Sequence, residues 1–276
     1  QNEFLPMPPR ARSRSPRGHG QRNDREIIEL DSESEPEGRN AFSVLTRSSL
    51  PEPRFTGPDS LPALRSIPRI SFHALNEAGS SWVAHAKGWV KLSSTEFEEL
   101  WSQHPESLGR IKLLGKEMDT PRFTKAYGAD YTYTGQTATG HPLCPQQTPV
   151  QCDLLAKVRA LLQGCPLTST FVYATVLVNW YQDGGHCIGP HSDDTRQLVP
   201  NSPIFSVSFG ATRRFILTPT KRHPSGRRLV LELGDGDLAI MGGTCQTTHK
   251  HAVPRTKGLC GRRVNLTFRC FKEHQR

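Results

Sequence analysis

Near its end the chain reads Arg263-Val264-Asn265-Leu266-Thr267-Phe268-Arg269, an unbroken alternation of polar and apolar side chains. On an extended strand, successive side chains point to opposite faces. Val264, Leu266 and Phe268 therefore share one face, and Arg263, Asn265, Thr267 and Arg269 share the other. The first face demands a core. The second resists burial, because a guanidinium taken out of water is costly unless anions or acceptors meet it. Two arrangements satisfy such a strand: a sheet face open to solvent with arginines at its rim, or a cavity that takes a ligand with two negative groups. Arginine offers a forked, planar partner for carboxylate that lysine does not, so a dicarboxylate would satisfy both guanidinium groups.

The rest of the C-terminal half shares this period of two. Residues 171–181, 204–209, 215–217, 228–233, 238–241 and 264–271 are rich in β-branched and aromatic side chains and read as strands. Gly184-Gly185, residues 219–226 and Gly234-Asp235-Gly236 separate them as turns. Two helices precede these strands. One spans residues 94–103, with Ser93 and Glu96 placed for a capping box and Leu92 and Phe97 for a hydrophobic staple. The other spans 153–162, with Leu154, Leu155, Val158, Leu161 and Leu162 on one stripe. Few helices and many strands predict an α+β domain with a β-sandwich or jelly roll at its centre.

Residues 1–68 hold 10 of the 22 prolines and three aromatics, Phe4, Phe42 and Phe55. Such a stretch buries too little apolar surface to offset its backbone entropy, which predicts a disordered tail before a folded domain at 69–276. Within the tail, Arg10, Arg12, Arg14 and Arg17 punctuate a Ser/Pro-rich run suited to RNA, to an import receptor or to simple solubility. Further on, Ile27, Ile28 and Leu30 lie beside acids and serines through Glu35, resembling a SUMO-interacting strand. The chain starts at Gln1 with its first methionine at Met7, the pattern of a fragment or processed piece. No apolar run is long enough for a membrane span, and no signal-type apolar segment stands near the start. Seven cysteines without a CxxC spacing speak against a disulfide framework and a Cys-rich zinc site, and for a reducing compartment. The formal charge of +9 arises wholly in residues 151–276. There Arg213, Arg214, Lys221, Arg222, Arg227 and Arg228 form a cluster with no acid between them, either a solvated hairpin rim or a contact for a polyanion such as nucleic acid.

His191 and Asp193 are two apart and would point the same way from one strand; His251 could join them from a neighbour. Two imidazoles and a carboxylate on one side of a metal leave other positions open, the arrangement suited to non-haem Fe(II) and O2 chemistry. A structural zinc would close four ligands, usually with cysteine. Asn179 and Tyr181, again two apart, could add hydrogen bonds to a ligand held by the arginines.

Asn179-x-Tyr181, His191-x-Asp193, Ser206-Val207-Ser208-Phe209-Gly210-Ala211, His251-x-x-Pro254 and Arg263-x-Asn265-Leu266-Thr267-Phe268-Arg269 together resemble the AlkB family of Fe(II)/2-oxoglutarate dioxygenases. The last motif alone should arise by chance on the order of once in 10^8 windows. The resemblance runs over residues 110–272 and is nearest to the animal repair-type members, from Pro121-Arg122 through Tyr127-Gly128 and Tyr131-Thr132-Tyr133. It implies a double-stranded β-helix (jelly roll) flanked by helices. It also implies oxidative demethylation of N-alkylated bases in DNA or RNA, using Fe(II), 2-oxoglutarate and O2. By the resemblance, His191, Asp193 and His251 hold the iron. Arg263, with Asn179 and Tyr181, takes the distal carboxylate of 2-oxoglutarate; Arg269 lies near the metal-side carboxylate, and Asn265 braces the pocket. Tyr127 and Tyr133 fall in the base-recognition segment, with packing in a lid as the alternative.

Two positions depart from the family pattern. Thr195 stands where repair-type members carry an acid that reads the base, and it supplies no charge to a cationic base; neighbouring Asp194 would point away on a strand. His249 replaces an aromatic two before the last metal ligand and is a candidate substrate contact, with a supporting role behind the metal ligands or no role as the alternatives; Arg213 is a further candidate substrate contact. Related targets for the same oxidation are an RNA modification or a methylated protein; the rival from another class is a non-catalytic nucleic-acid-binding module. A monomer in the nucleus or cytoplasm, nuclear by preference, is expected.

Overall fold

The computed structural model describes residues 57–113, 116–128, 130–133, 136–163 and 173–272. The tail motifs, including Ile27, Ile28 and Leu30, lie outside the described residues. Residues 57–68, expected to belong to the tail, pack against the domain. Two short 3-10 turns, Pro58–Ser60 and Pro62–Ser66, carry Leu61, Leu64 and Ile67 into the core. Three-residue spacing puts these apolar residues on one side of a 3-10 turn. Two of the prolines that suggested disorder, Pro58 and Pro62, sit at first helical positions, where a missing N–H costs nothing.

The chain then forms β1 (Ile70–Ala74), β2 (Ser81–Ala86), α1 (Ser94–Ser102), β3 (Arg110–Leu113), β4 (Lys116–Asp119) and β5 (Phe123–Gly128). Next come β6 (Tyr131–Tyr133), β7 (Gln136–Ala138), α2 (Pro149–Ala160), β8 (Tyr173–Tyr181), β9 (Ile188–His191) and β10 (Ile204–Gly210). The last elements are β11 (Arg213–Pro219), β12 (Leu229–Leu233), β13 (Asp237–Gly243), α3 (Cys245–Thr248), β14 (His249–Val253) and β15 (Arg263–Cys270). Ser93 and Glu96 cap α1 as expected, each side chain bonding the other's backbone N–H. Helix α2 starts four residues before its expected position, because Pro149 opens its first turn.

The strands build a jelly-roll core of two antiparallel sheets. The larger runs β1-β2-β13-β10-β15-β8-β5 and the smaller β12-β11-β14-β9; β3-β4 and β6-β7 are separate hairpins. Consecutive β10 and β11 belong to different sheets, as do β12 and β13, so the chain alternates between layers. The alternation in β15 sorts its two faces. Val264, Leu266 and Phe268 are wholly buried with Val176, Val178 and Trp180 of β8 and Leu100, Leu154 and Val158 of the helices. The Trp180 indole N–H donates to the Leu100 carbonyl at 2.9 Å, tying α1 to the sheet. Between the sheets, Phe215, Leu217, Leu231 and Leu233 pack on Tyr181, Ala239 and Met241. Each large apolar side chain buried in these layers contributes about 1.5–3 kcal/mol.

The turn from β12 to β13 depends on Gly236. Its φ is +75°, and a Cβ there would sit 1.9 Å from the Val90 carbonyl oxygen. Asp237, the next residue, fastens three strand ends. Its carboxylate accepts from the Gly88 N–H at 2.8 Å and the Gly234 N–H at 3.0 Å, and it faces His85 Nε2 at 3.0 Å. No helix among the described residues is long and apolar enough to cross a membrane.

Burial opposes ionisation of Asp237, but the two backbone N–H donors and His85 outweigh it and hold its pKa below the ordinary 3.8. A depressed folded-state pKa stabilises the protein above the unfolded value and loses that contribution as the pH falls through the folded one. Asp237→Asn should therefore cost about 1–3 kcal/mol at neutral pH. In denaturant melts the gap to the parent should close as the pH drops below about 4.

Candidate active site

The polar face of β15 opens onto a cavity of about 550 Å³ between the sheets, lined by Arg263, Asn265, Thr267 and Arg269 as the alternation predicts. Asn179 and Tyr181 of β8 line it too, in register opposite Asn265 and Arg263. A ladder of hydrogen bonds stiffens this floor. Thr267 Oγ1 donates to Asn265 Oδ1 at 3.3 Å, while Asn265 Nδ2 reaches Ser206 Oγ at 2.8 Å and the Val207 carbonyl at 2.9 Å.

His191, Asp193 and His251 meet in the same cavity, their donor atoms all within 4.8 Å of one another. His191 ends β9 and pairs directly with His251 on β14, with ring centroids 4.2 Å apart. Asp193 is not on that strand. The ladder stops at His191, and the following segment is held by Ser192 Oγ donating to the His249 carbonyl at 2.8 Å and the Asp193 N–H donating to Gln246 Oε1 at 3.0 Å. Asp193 Oδ1 lies 3.8 Å from His191 Nε2 and 4.0 Å from His251 Nε2. Arg269 takes Oδ2 in a fork, Nε and Nη2 each at 2.9 Å. The carboxylate is thereby aimed with one oxygen toward the imidazoles. His191 Nδ1 contacts the Gly189 carbonyl at 2.9 Å, which leaves Nε2 for a metal.

The electrostatics prepare these groups as ligands. Burial drives the His251 pKa down to about 3, with His191 adding to the shift. Burial also lowers His191, against the pull of Asp193. Burial resists ionisation of Asp193, but Arg269 and the two imidazoles hold it well below the usual carboxylate range. Two neutral imidazoles and one carboxylate are the protonation states a divalent metal requires. The donor set and its open side fit Fe(II).

Arg263 is 1% exposed. Its Nη2 donates to Ser208 Oγ at 2.8 Å, but Nε and Nη1 find no hydrogen-bond partner among the described residues. The Tyr181 ring stands 4.9 Å from the guanidinium. Burial pushes the Arg263 pKa down from its ordinary value, and Tyr181 acts the other way. A buried guanidinium with two spare donors calls for an anion, and a carboxylate is the fitting shape. The donors present thus suit 2-oxoglutarate as well as iron.

Several expected contacts belong elsewhere. Arg213 is not a substrate contact: it is fully buried and donates to the carbonyls of Asp183 (3.0 Å), His186 (2.8 Å) and Pro254 (2.7 Å). His249 is buried, with Nε2 on the Arg227 carbonyl and Nδ1 on Thr248 Oγ1, so it braces a loop. Tyr127 packs into the core with its hydroxyl donating to Gln103 Oε1 at 3.2 Å. Thr195 is exposed and lines a separate cavity of about 180 Å³. The side chain of Tyr133 lies outside the described residues. Arg269 does lie at the metal end of the cavity, where it grips Asp193. Lys221, Arg222, Arg227 and Arg228 are exposed on the β11–β12 loop; Arg214 is exposed on β11 opposite Glu232, which tempers its charge.

Arg122 and Gln246 were not singled out from the sequence, and Asp194, expected to point away, lines the cavity. Arg122 lines the cavity and donates Nε to Asn179 Oδ1 at 2.8 Å, with Thr124 Oγ1 on the same oxygen at 3.0 Å. The Asn179 carbonyl is therefore spoken for. Gln246 positions the Asp193 backbone. Arg122 sits in the quoted Pro121-Arg122 run, but nothing in spacing alone ties it to Asn179.

Residues 75–269 match the 2OG-Fe(II) oxygenase superfamily. Over 183 residues the chain is 38% identical to the protein named DNA oxidative demethylase ALKBH2 of Mus musculus, covering 63% of this chain and 72% of that one. The Homo sapiens protein of the same name is 37% identical over 171 residues, 59% of this chain and 61% of that one, so this chain spans less than two thirds of its length. The Mus musculus protein named Alpha-ketoglutarate-dependent dioxygenase alkB homolog 3 is 32% identical over 211 residues, covering 71% and 68%.

The Arg213 arrangement has a measurable consequence. Its three carbonyl acceptors come from the β8–β9 loop and the start of the β14–β15 loop, both beside the cavity. Arg213→Met strips all of them of their donor and should destabilise the protein by on the order of 2–3 kcal/mol. Chemical denaturation of the two proteins reads this directly; Arg213→Lys, with a point charge instead of a fork, should recover only part.

Proposed function

Because the chain belongs to the 2OG-Fe(II) oxygenase superfamily, and within it to the AlkB family, we propose that it oxidatively demethylates N-alkylated bases in nucleic acid. The observation that carries this reading is one cavity holding both the His191–Asp193–His251 cluster and a buried Arg263 with two spare donors. His191, Asp193 and His251 would hold Fe(II), and Arg263 with Tyr181 would hold the distal carboxylate of 2-oxoglutarate. When bound, the iron and keto acid would supply the electrons that activate O2 for attack on a carbon attached to nitrogen.

The chain's own residues do the rest. Arg269 fixes the orientation of Asp193, and Asn265 and Ser206 keep the floor of the site rigid, so that the methyl group is held rather than solvated. Phe215, Met241 and Val253 give the cavity apolar walls that exclude water. In the net reaction, one atom of O2 enters succinate as 2-oxoglutarate loses CO2, and the other enters the methyl carbon. The hydroxymethyl group then leaves as formaldehyde and the base nitrogen takes a proton. A duplex base must be flipped out to reach such a site, and a methylated, unpaired base costs least to extrude. The exposed Lys221–Arg228 loop supplies charge for the phosphates, and the nucleus is the compartment that suits the DNA-directed relatives.

Mass spectrometry on a panel of methylated oligonucleotides, DNA and RNA, single- and double-stranded, tests the reading. With Fe(II), 2-oxoglutarate and O2, one strand class should lose the mass of a CH2 unit as succinate forms, and His191→Ala should abolish both. Oligonucleotide binding without succinate in the parent would make the chain a binding module instead.

A further inference from the structure

Strand β13 divides its side chains as β15 does. Leu238 and Ile240 pack in the layer with the helices, and Ala239 and Met241 face the space between the sheets. Met241 thereby enters the wall of the cavity that holds His191, Asp193 and His251. It is the one sulfur-bearing side chain among the described residues of that wall. Met241 packs in one cluster with Phe215 and Val253, and the Phe215 ring lies 5.6 Å from the His251 ring.

The thioether is also aimed. Gln246 Nε2 donates to Met241 Sδ at 3.3 Å, and Oε1 of the same amide accepts the Asp193 N–H at 3.0 Å. One side-chain amide therefore separates the sulfur from the backbone of a residue in the metal cluster. An unbranched methionine has three rotatable bonds and adapts to irregular space; here the amide and the apolar neighbours restrict it.

Burial and chemistry pull this residue in opposite directions. At 3% exposure Met241 is shielded from oxidants in solution, yet it lines the chamber in which O2 is activated. A thioether takes up an oxygen atom through a sulfur lone pair and breaks no C–H bond, so it competes well with the aliphatic and aromatic groups beside it. The product suits its place. A buried sulfoxide oxygen needs a hydrogen-bond donor, and Gln246 Nε2 already stands against the sulfur.

We propose that Met241 takes up the oxygen atom when 2-oxoglutarate is turned over with no base in the cavity. This rests on the demethylase reading above. In the balanced step, 2-oxoglutarate, O2 and the thioether give succinate, CO2 and methionine sulfoxide. One oxygen atom enters succinate and the other bonds to Sδ; the keto acid and the sulfur supply two electrons each.

Peptide mass spectrometry tests this on the full chain with Fe(II), 2-oxoglutarate and O2, with catalase present and no nucleic acid. Met118, 48% exposed on β4, is the internal control, because a dissolved oxidant reaches it before Met241. Met241 should gain one oxygen atom and Met118 none, while hydrogen peroxide given to the metal-free chain should mark them in the reverse order. His191→Ala should abolish the gain at Met241, and a methylated strand that the parent demethylates should suppress it. Met241 left unchanged without a strand, Met118 marked equally, or a gain that survives in His191→Ala overturns the proposal. Demethylation of a strand by the same preparation would then keep the reading above intact. A preparation that forms succinate under neither condition overturns both.

Discussion

Buried guanidinium groups are the constraint around which this molecule is arranged. Arg213, Arg263 and Arg269 are each 4% exposed or less, and a charge placed there must be met by acceptors. Each is met differently. Arg213 takes three backbone carbonyls and so fixes the loops on either side of the cavity. Arg269 takes a carboxylate and orients a metal ligand. Arg263 is met on one nitrogen alone by Ser208, and the donors left over define what the cavity is for.

Fold and site are linked through the pleat of β15 and β8. The side chains that pack on α1 and α2 alternate with those that line the cavity, so neither face can shift without the other. A one-residue slip between β15 and β8 would drive Arg263 into the apolar layer beside Trp180. The cost of that misplacement is what specifies the register. The hydrogen-bond ladder from Thr267 through Asn265 to Ser206 pins β15 to β10 in the same way on the other side.

Strand periodicity made much of this legible from the amino acids. The apolar and polar faces of β15, the shared face of Asn179 and Tyr181, and the capping of α1 all follow from rules that act within a few residues. Other features were hidden because their causes are not local. Arg213 stands in a basic run, and only the tertiary fold brings the carbonyls of Asp183, His186 and Pro254 to it. His249 shares a strand with His251 but is sealed by the Arg227 carbonyl from a loop 22 residues away. Residues 57–68 were hard to assign because proline marks both disorder and the first turn of a helix. Burial of Leu61 and Leu64 decides between them, and burial is a property of the whole fold.

The break after His191 shows how one local departure serves two ends. Had β9 continued, Asp193 would still have shared a face with His191, as alternation requires, and Asp194 would have faced away. Instead, the Ser192 hydroxyl and the Asp193 N–H draw the chain toward His249 and Gln246, and the carboxylate of Asp193 reaches the imidazoles from a loop. A loop ligand lacks the stiffness of a strand ligand, so its orientation must come from side chains; Arg269 supplies it from β15. The same bend places Asp194 in the cavity wall one residue later. Geometry at the metal cluster and the charge presented to a substrate therefore derive from a single backbone feature, and changes at Gln246 or Ser192 will move both together.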